Sequence, residues 1–277
     1  MQQLISFFYR NKNFLFFIFL EGLAFFFTIQ SHSFHSSKFV NSANAITGSI
    51  YKKVNNFSEF LHLREENEIL AQENVYLRNL LGKEMDLNQH GDSLKTDSIG
   101  QNSQKYFYYS AEVINNEFNR SNNYMTISSG AKSGIAPDMG VINNKGIVGI
   151  TKSVSDNYAT IMSVLNVNAK INVMISRTEH FGTMSWNTKD YTKVQLQDLP
   201  IQAKIRVGDT VVTGGKSVIF PKGIPVGVVH DFVVESNNYT LVNISLFNDM
   251  TSLGYVEVIE NFDKEEILNL EERSMNE

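Results

Sequence analysis

The chain of 277 residues is long enough for about two domains, and its composition excludes several kinds of site. It contains no cysteine, so neither a disulfide nor a thiolate metal site can form. Its 24 basic and 29 acidic residues give a net charge of −5, and no region has the basic face that nucleic-acid binding requires. We therefore expect no nucleic-acid partner.

An apolar stretch near the N-terminus predicts a membrane anchor. Residues 14–29 read FLFFIFLEGLAFFFTI, and the basic residues Arg10 and Lys12 precede them. The positive-inside rule then predicts a cytoplasmic start at 1–13, a transmembrane anchor at 14–29 and a body on the outer side of the membrane. The alternative is a cleaved signal peptide, but the nearest small-x-small sequence, Ala43-Asn-Ala, lies about fourteen residues beyond the apolar run.

Glu21 lies near the middle of this apolar stretch. A carboxyl group at that depth costs a few kcal/mol on insertion scales. Glu21 is therefore predicted to contact a partner helix in the membrane. The alternative is a neutral side chain that a lone helix tolerates.

Residues 45–81 are predicted to form a coiled-coil dimerisation helix. Its second half shows the 4-3 spacing of a left-handed coiled coil at Phe60, Leu63, Asn67, Leu70, Asn74, Leu77 and Leu81. Asparagines at a positions favour a fixed register and a parallel pair of helices. In the same phasing Arg64 and Arg78 occupy e positions, where a parallel partner would bring Glu59 and Glu73. The alternative is a monomeric helix that packs on the chain's own domain.

The remainder of the chain is predicted to be an all-β body between two polar segments. Residues 82–105 have few apolar side chains and predict a flexible linker, while 263–277 form an acidic tail that is either a solvated helix or disordered. From Tyr106 onward apolar and polar residues alternate, as in 169–175, 193–197 and 242–246, with turn signals roughly every 8–15 residues. This pattern predicts an all-β sandwich or barrel, and about 155 residues suit two small barrels better than one large sheet.

The body offers few side chains for catalysis. Its histidines are His180 and His230, and no G-x-S-x-G elbow or HExxH motif accompanies them. Gly215-Lys-Ser resembles the end of a P-loop, but the glycine required five residues earlier is replaced by Thr210. We therefore expect no catalytic, cofactor-binding or metal site.

Two glycine-rich runs carry a family resemblance. Residues 130–149 contain GAKSGIAPDMGV and GIVG, and residues 208–227 contain GDTVVTGG and FPKGIPVG. Together with the strand-like segment 115–127, these runs resemble the rod shape-determining MreC family, with Gly214 in place of the usual serine. The Phe-rich stretch with Glu21 is similar to the Bacteroidetes branch of that family.

The resemblance implies a particular fold. It has an N-terminal transmembrane helix and a coiled-coil helix, followed by an all-β body of two small β-barrels that are similar to the halves of chymotrypsin-like proteases. One barrel is inserted in the other. We map the first barrel to 106–118 with 190–262 and the second, inserted barrel to 119–189.

The resemblance also implies a function. It is that of a non-catalytic, membrane-anchored scaffold of the cell-elongation machinery, which couples peptidoglycan synthesis to the MreB cytoskeleton and so maintains cell shape. The implied partners are a second copy of the chain through the coiled coil, further copies in a filament through the barrels, MreD, MreB and the elongation-specific penicillin-binding transpeptidase. The implied location is the inner (cytoplasmic) membrane, crossed once, with a cytoplasmic N-terminus and a periplasmic body.

Two other functions remain as alternatives. A membrane-anchored cell-wall hydrolase would need a serine, a histidine and a carboxylate to converge. The periplasmic adaptor of an efflux pump would share an anchor and a coiled coil, but its coil is usually a hairpin with two arms, whereas one arm is predicted here.

Overall fold

A computed structural model describes residues 10–31, 62–83, 104–235 and 238–275. Helix α1 spans Lys12–Ser31, helix α2 spans residues 62–83, and helix α3 spans Lys264–Met275. The strands of the described residues are β1 (Tyr106–Asn116), β2 (Asn122–Ile127), β3 (Gly140–Asn143), β4 (Gly146–Val154), β5 (Ala159–Asn166), β6 (Ile171–Ile175), β7 (Phe181–Ser185), β8 (Lys193–Gln197), β9 (Thr210–Thr213), β10 (Pro225–Glu235), β11 (Asn238–Leu246) and β12 (Tyr255–Asn261).

The strands of the described residues close into two antiparallel barrels, as predicted. The first barrel has the strand order β1-β12-β3-β4-β5-β2, and the inserted barrel has the order β10-β11-β8-β7-β6-β9. All six strands of the inserted barrel lie between β5 and β12 in the sequence. The β1–β12 pair, which joins Tyr106 to Asn261, therefore closes the first barrel across the insertion.

The predicted division of the body differs from the observed one. The first barrel contains residues 106–166 and β12, whereas the predicted map gave it 106–118 with 190–262. The inserted barrel lies within 171–246 rather than 119–189. Apolar alternation shows that a segment is a strand but contains no information on which other strand it pairs with. Here β2 pairs with β1 and β5. Both β2 and β5 lie after residue 119, so this pairing places them in the first barrel.

Each barrel is filled by the inward-facing side chains of its strands. Met125, Ile161 and Val258 have no or almost no exposed surface in the first barrel, and Val173 and Ile244 are equally buried in the inserted barrel. Burial of an aliphatic side chain of this size contributes about 1.5–3 kcal/mol. The barrels are thus two adjoining apolar cores, and their junction positions the loops described below.

Helix α1 forms where the membrane anchor is predicted. Within the ranges that the structure describes, however, no helix is both long enough and apolar enough to cross a membrane. The predicted span at 14–29 is therefore not supported. Its sixteen residues would reach about 24 Å, which is short of a hydrocarbon core of about 30 Å, and Glu21 interrupts them.

Several other predictions fall partly outside the described residues. Residues 1–9 of the predicted cytoplasmic start, 45–61 of the predicted coiled-coil helix, including Phe60, and 84–103 of the predicted linker all lie there. Of the two alternatives for the tail, the helical one is observed, since α3 covers Lys264–Met275.

Candidate interaction site

The two glycine-rich runs meet at the junction of the barrels. Gly140 on β3 lies against the ring of Phe220, and a Cβ at this position would come within 2.7 Å of that ring and 2.8 Å of the Ile219 carbonyl oxygen. Gly146, at the start of β4, has a φ of 146°, and a Cβ there would overlap the carbonyl oxygen of Pro225. The glycines of one run therefore make room for the backbone and ring of the other.

Side-chain amides also cross this junction. The Nδ2 atom of Asn248 donates a hydrogen bond to the carbonyl oxygen of Ile147 at 2.8 Å, and the Nδ2 atom of Asn261 donates to that of Val218 at 2.9 Å. Asn248 and Phe220 are both buried. Buried polar groups that are bonded in this way favour one arrangement of their surroundings. The barrels are consequently held together by close packing and by directional bonds.

The aspartate of the second run, Asp209, anchors a turn within the inserted barrel. Its carboxylate accepts hydrogen bonds from Nε and Nη2 of Arg177 at 2.8 and 2.7 Å and from the backbone N–H of Arg206 at 2.8 Å. The hydrogen bond from the Arg177 side chain is the main reason why the pKa of Asp209 is lowered from its ordinary value. The pair ties the turn after β6 to the start of β9, which is a structural role.

The residues of the predicted dimer seam lie on the exposed side of α2. The side chains at the d positions Leu63, Leu70 and Leu77 and at the last a position, Leu81, are all about half exposed. Asn74 donates a hydrogen bond from Nδ2 to the Leu70 carbonyl oxygen at 2.7 Å, within the helix. Asn67 is also exposed, and Phe60 lies outside the described residues. The seam is therefore accessible to another helix, and the dimer remains a prediction of the sequence.

A different face of α2 contacts the first barrel. Its half-buried residues are Ala71, Val75, Arg78, Asn79 and Gly82. Nε of Arg78 lies 2.9 Å from Oε2 of Glu257 on β12. The sequence predicts that Arg78 meets Glu73 of a partner helix, whereas in the structure Arg78 pairs with Glu257 of its own chain. The alternative of a helix packed on its own domain thus holds for this face.

Glu21, the predicted contact of a membrane partner, is exposed on α1. Gly22 follows it, and a Cβ at Gly22 would meet no atom of the described residues within 4 Å. Ile18, Phe25 and Phe26 flank the shallow recess that results. A glycine beside a carboxyl group permits the close approach of a second helix.

The two histidines of the body lie in unrelated surroundings. The Nδ1 atom of His180 is buried without a hydrogen-bond partner, and Nε2 of His230 lies 3.7 Å from the Asp231 carboxylate on an exposed part of β10. Neither of these two nitrogen atoms makes the serine–histidine hydrogen bond that acyl transfer uses. In the described ranges, no three His, Asp or Glu side chains are grouped as a metal site requires.

The structure assigns roles to two residues that the sequence analysis did not single out. Asn79 bonds to the backbone of Tyr108 on β1, and Glu257 lies among buried valines on β12. A signal existed for Glu257, because a carboxylate interrupts the apolar pattern of Tyr255–Asn261. No local pattern distinguishes Asn79 from the other polar residues of α2, since its partner is 29 residues away.

The fold and these surfaces define a class of protein, a pair of tightly joined β-barrels attached to a helix that exposes a leucine and asparagine face. The family model described as "Rod shape-determining protein MreC, barrel core" matches residues 113–260, which is more than half of the chain. The chain belongs to the MreC family, and it is therefore a cell shape-determining protein.

Relatives and solved structures agree with this assignment. The cell shape-determining protein MreC of Listeria monocytogenes is 28% identical over 223 residues, which are 78% of this chain and 72% of the relative. The protein of the same name from Escherichia coli K12 is 26% identical over 201 residues, or 70% of this chain and 53% of the relative. A solved structure of MreC from Listeria monocytogenes has a TM-score of 0.55 at 27% identity, and covers 72% of this chain and 94% of that one.

Proposed function

We propose that the protein is a non-catalytic scaffold of the cell-elongation machinery that couples peptidoglycan synthesis to the MreB cytoskeleton. Membership of a cell shape-determining family supports this role. The exposed leucine and asparagine seam of α2 supports a dimeric form of this scaffold. The seam lies beside a face of α2 that the first barrel already covers. Two copies joined through this seam present four barrels, so weak contacts to partners become avid. The hydrolase and the efflux adaptor have no comparable support.

The barrels also offer a surface for self-association into filaments. In the described residues β10 pairs with β9 only at Pro225–Val228, and β11 pairs with β8 only at 243–245. The outer part of the β10–β11 hairpin therefore has no third strand paired with it among the described residues, and Val234 and Leu241 on it are exposed. Open edges with apolar side chains favour strand addition by another copy.

We place the barrels in the periplasm, at the inner membrane, which is the location that membership of the family suggests. Helix α1 exposes several phenylalanines, among them Phe16, Phe19 and Phe25, which water solvates poorly. We assign α1 to association with the bilayer and Glu21 to a contact with MreD there.

Co-purification of the full chain in detergent tests these partners. We expect the tagged chain to retain the elongation-specific transpeptidase, identified by its reaction with a fluorescent penicillin, and MreD, identified by immunoblot. Glu21→Leu should lose MreD and keep the transpeptidase, because the body is unchanged. Loss of neither partner in the variant contradicts the role of Glu21. Absence of the penicillin-labelled protein from the parent preparation contradicts the scaffold role.

The dimer seam is tested by the double substitution Asn67→Val with Asn74→Val. We expect the helical content to stay the same or rise and the oligomeric state to become mixed, because a-position asparagines sacrifice stability for a defined register. Circular dichroism measures the helical content, light scattering measures the oligomeric state, and disulfide trapping from Leu70→Cys reports the register. An unchanged dimer of unchanged register would show that the seam is assigned to the wrong face.

A further inference from the structure

Strand β1 has a stretch with a neighbouring strand on one side only. β12 pairs with Tyr106–Glu112, whereas β2 meets β1 from Val113 onward. In the described part of the chain, no strand therefore lies beside Tyr106–Ala111 on the side away from β12. Such an edge exposes backbone donors and acceptors that must be covered or bonded.

Helix α2 supplies the missing bonds at the middle of this edge. Nδ2 of Asn79 donates to the carbonyl oxygen of Tyr108 at 3.0 Å, and Oδ1 of Asn79 accepts from the Tyr108 N–H at 2.9 Å. A primary amide presents the same donor and acceptor as a peptide group. Asn79 thus bonds as a residue of a neighbouring strand would. Gln104 covers the next position, because its Nε2 donates to the Tyr106 carbonyl oxygen at 2.7 Å.

A charged contact lies beside this pair of hydrogen bonds. The Glu257 side chain is only 10% exposed, and Nε of Arg78 approaches its Oε2 to 2.9 Å. Burial raises the pKa of Glu257, while Arg78 opposes that effect. Arg78 also lies over the Tyr108 ring, 5.9 Å from its centroid. A buried carboxylate is costly without an opposite charge, so the barrel favours the position of α2 that brings Arg78 to it.

The docked face and the dimer seam are compatible on one helix. At 100° per residue, the half-buried positions from Ala71 to Gly82 cluster on one side of α2, and the seam positions from Leu63 to Leu81 lie roughly a quarter turn around the axis. A second helix can therefore occupy the seam without displacing Arg78 or Asn79.

We infer that the first barrel carries a built docking surface for α2, made of the open β1 edge and the Glu257 carboxylate, which holds the dimer seam and the first barrel as one rigid body. The two first barrels of a dimer are consequently held at fixed positions around the coil. The orientation of the heads is then set by two residues of α2 and does not depend on the stiffness of the residues between α2 and β1. This coupling is independent of which proteins the barrels bind.

Distance measurements between spin labels test the inference. The chain has no cysteine, so Tyr76→Cys on the exposed side of α2 and Lys152→Cys on β4 allow two specific labels on the full chain, diluted with unlabelled chain to isolate distances within one copy. We expect a single narrow distance peak in this doubly labelled parent. Addition of Arg78→Ala and Asn79→Ala should abolish the peak. Gln72→Ala, an exposed position that bonds to Glu68, is the matched control and should keep it.

Hydrogen exchange provides a readout that does not depend on the labels. The Tyr108 amide should exchange slowly in the parent and rapidly in Asn79→Ala, while the amides of Val256 and Val258 on β12 stay slow in both, since the barrel remains folded. A broad distance distribution in the parent would overturn the inference. A narrow peak in the double variant, or an equally slow Tyr108 amide in Asn79→Ala, would also overturn it.

Discussion

Replacement of Gly146 by alanine is expected to lower the free energy of unfolding by about 3 kcal/mol, the combined cost of a strained backbone and an overpacked site. Gly146 has a φ of 146°, which L-residues with a side chain rarely adopt. The added methyl group would also overlap the Pro225 carbonyl oxygen, which is backbone and cannot rotate away. Denaturant unfolding of the full chain measures the loss.

A second glycine serves as the matched control for this prediction. Gly254 has no positive φ, and a Cβ there would meet no atom of the described residues within 4 Å. Gly254→Ala should therefore change the free energy of unfolding by less than about 0.5 kcal/mol. If Gly146→Ala changed the free energy of unfolding as little as this control, the junction would be less tightly packed than described. The glycines of the two runs would then need another explanation.

The substitution Asp209→Asn should cost about 2–3 kcal/mol at neutral pH. It preserves the shape of the side chain but removes the charge that Arg177 pairs with, and it places an amide donor among three donors. We place the expected cost at the lower end for a buried pair because the Arg177 side chain is 41% exposed, so solvent screens part of the interaction. Thermal unfolding monitored at Trp186, which lies in the inserted barrel, measures the effect.

The control and the pH dependence sharpen this prediction. Asp156→Asn removes a surface pair with Lys132, whose side chains are 78% and 66% exposed, and should change stability by less than about 0.5 kcal/mol. The folded-state pKa of Asp209 is lowered, so its stabilisation is present above the unfolded-state pKa of about 3.9 and is lost as the pH falls through the lower folded value. The gap between parent and Asp209→Asn should therefore be constant above about pH 5 and shrink below about pH 4. A gap that grows in acid would contradict this account.

The strands themselves could be predicted from local sequence. The alternation in 169–175, 193–197 and 242–246 predicts strands that the structure contains as β6, β8 and part of β11. Side chains alternate across a strand because of its backbone geometry, so one segment carries this signal without its neighbours. The pairing of strands carries no such signal, and for this reason the predicted division of the barrels differs from the observed one.

The glycine-rich runs also combine a feature that local sequence predicts with one that depends on distant residues. Their sequence alone supports the resemblance to the family, and the family model covers them. Why Gly140 and Gly146 are glycines is visible only when Phe220 and Pro225, about 80 residues later, are in place. Whether a side chain fits at a junction depends on the atoms of both runs. The sequence of one run therefore does not predict where glycine is required.

Helix α2 combines both kinds of information. Its seam of leucines and asparagines follows from a seven-residue period and could be predicted from sequence alone. Its second face, with Arg78 and Asn79, was decided by the tertiary structure, because Glu257 and the open edge of β1 come from distant parts of the chain. A period defines a face of a helix, whereas a single ion pair or amide contact depends on what folding brings opposite it.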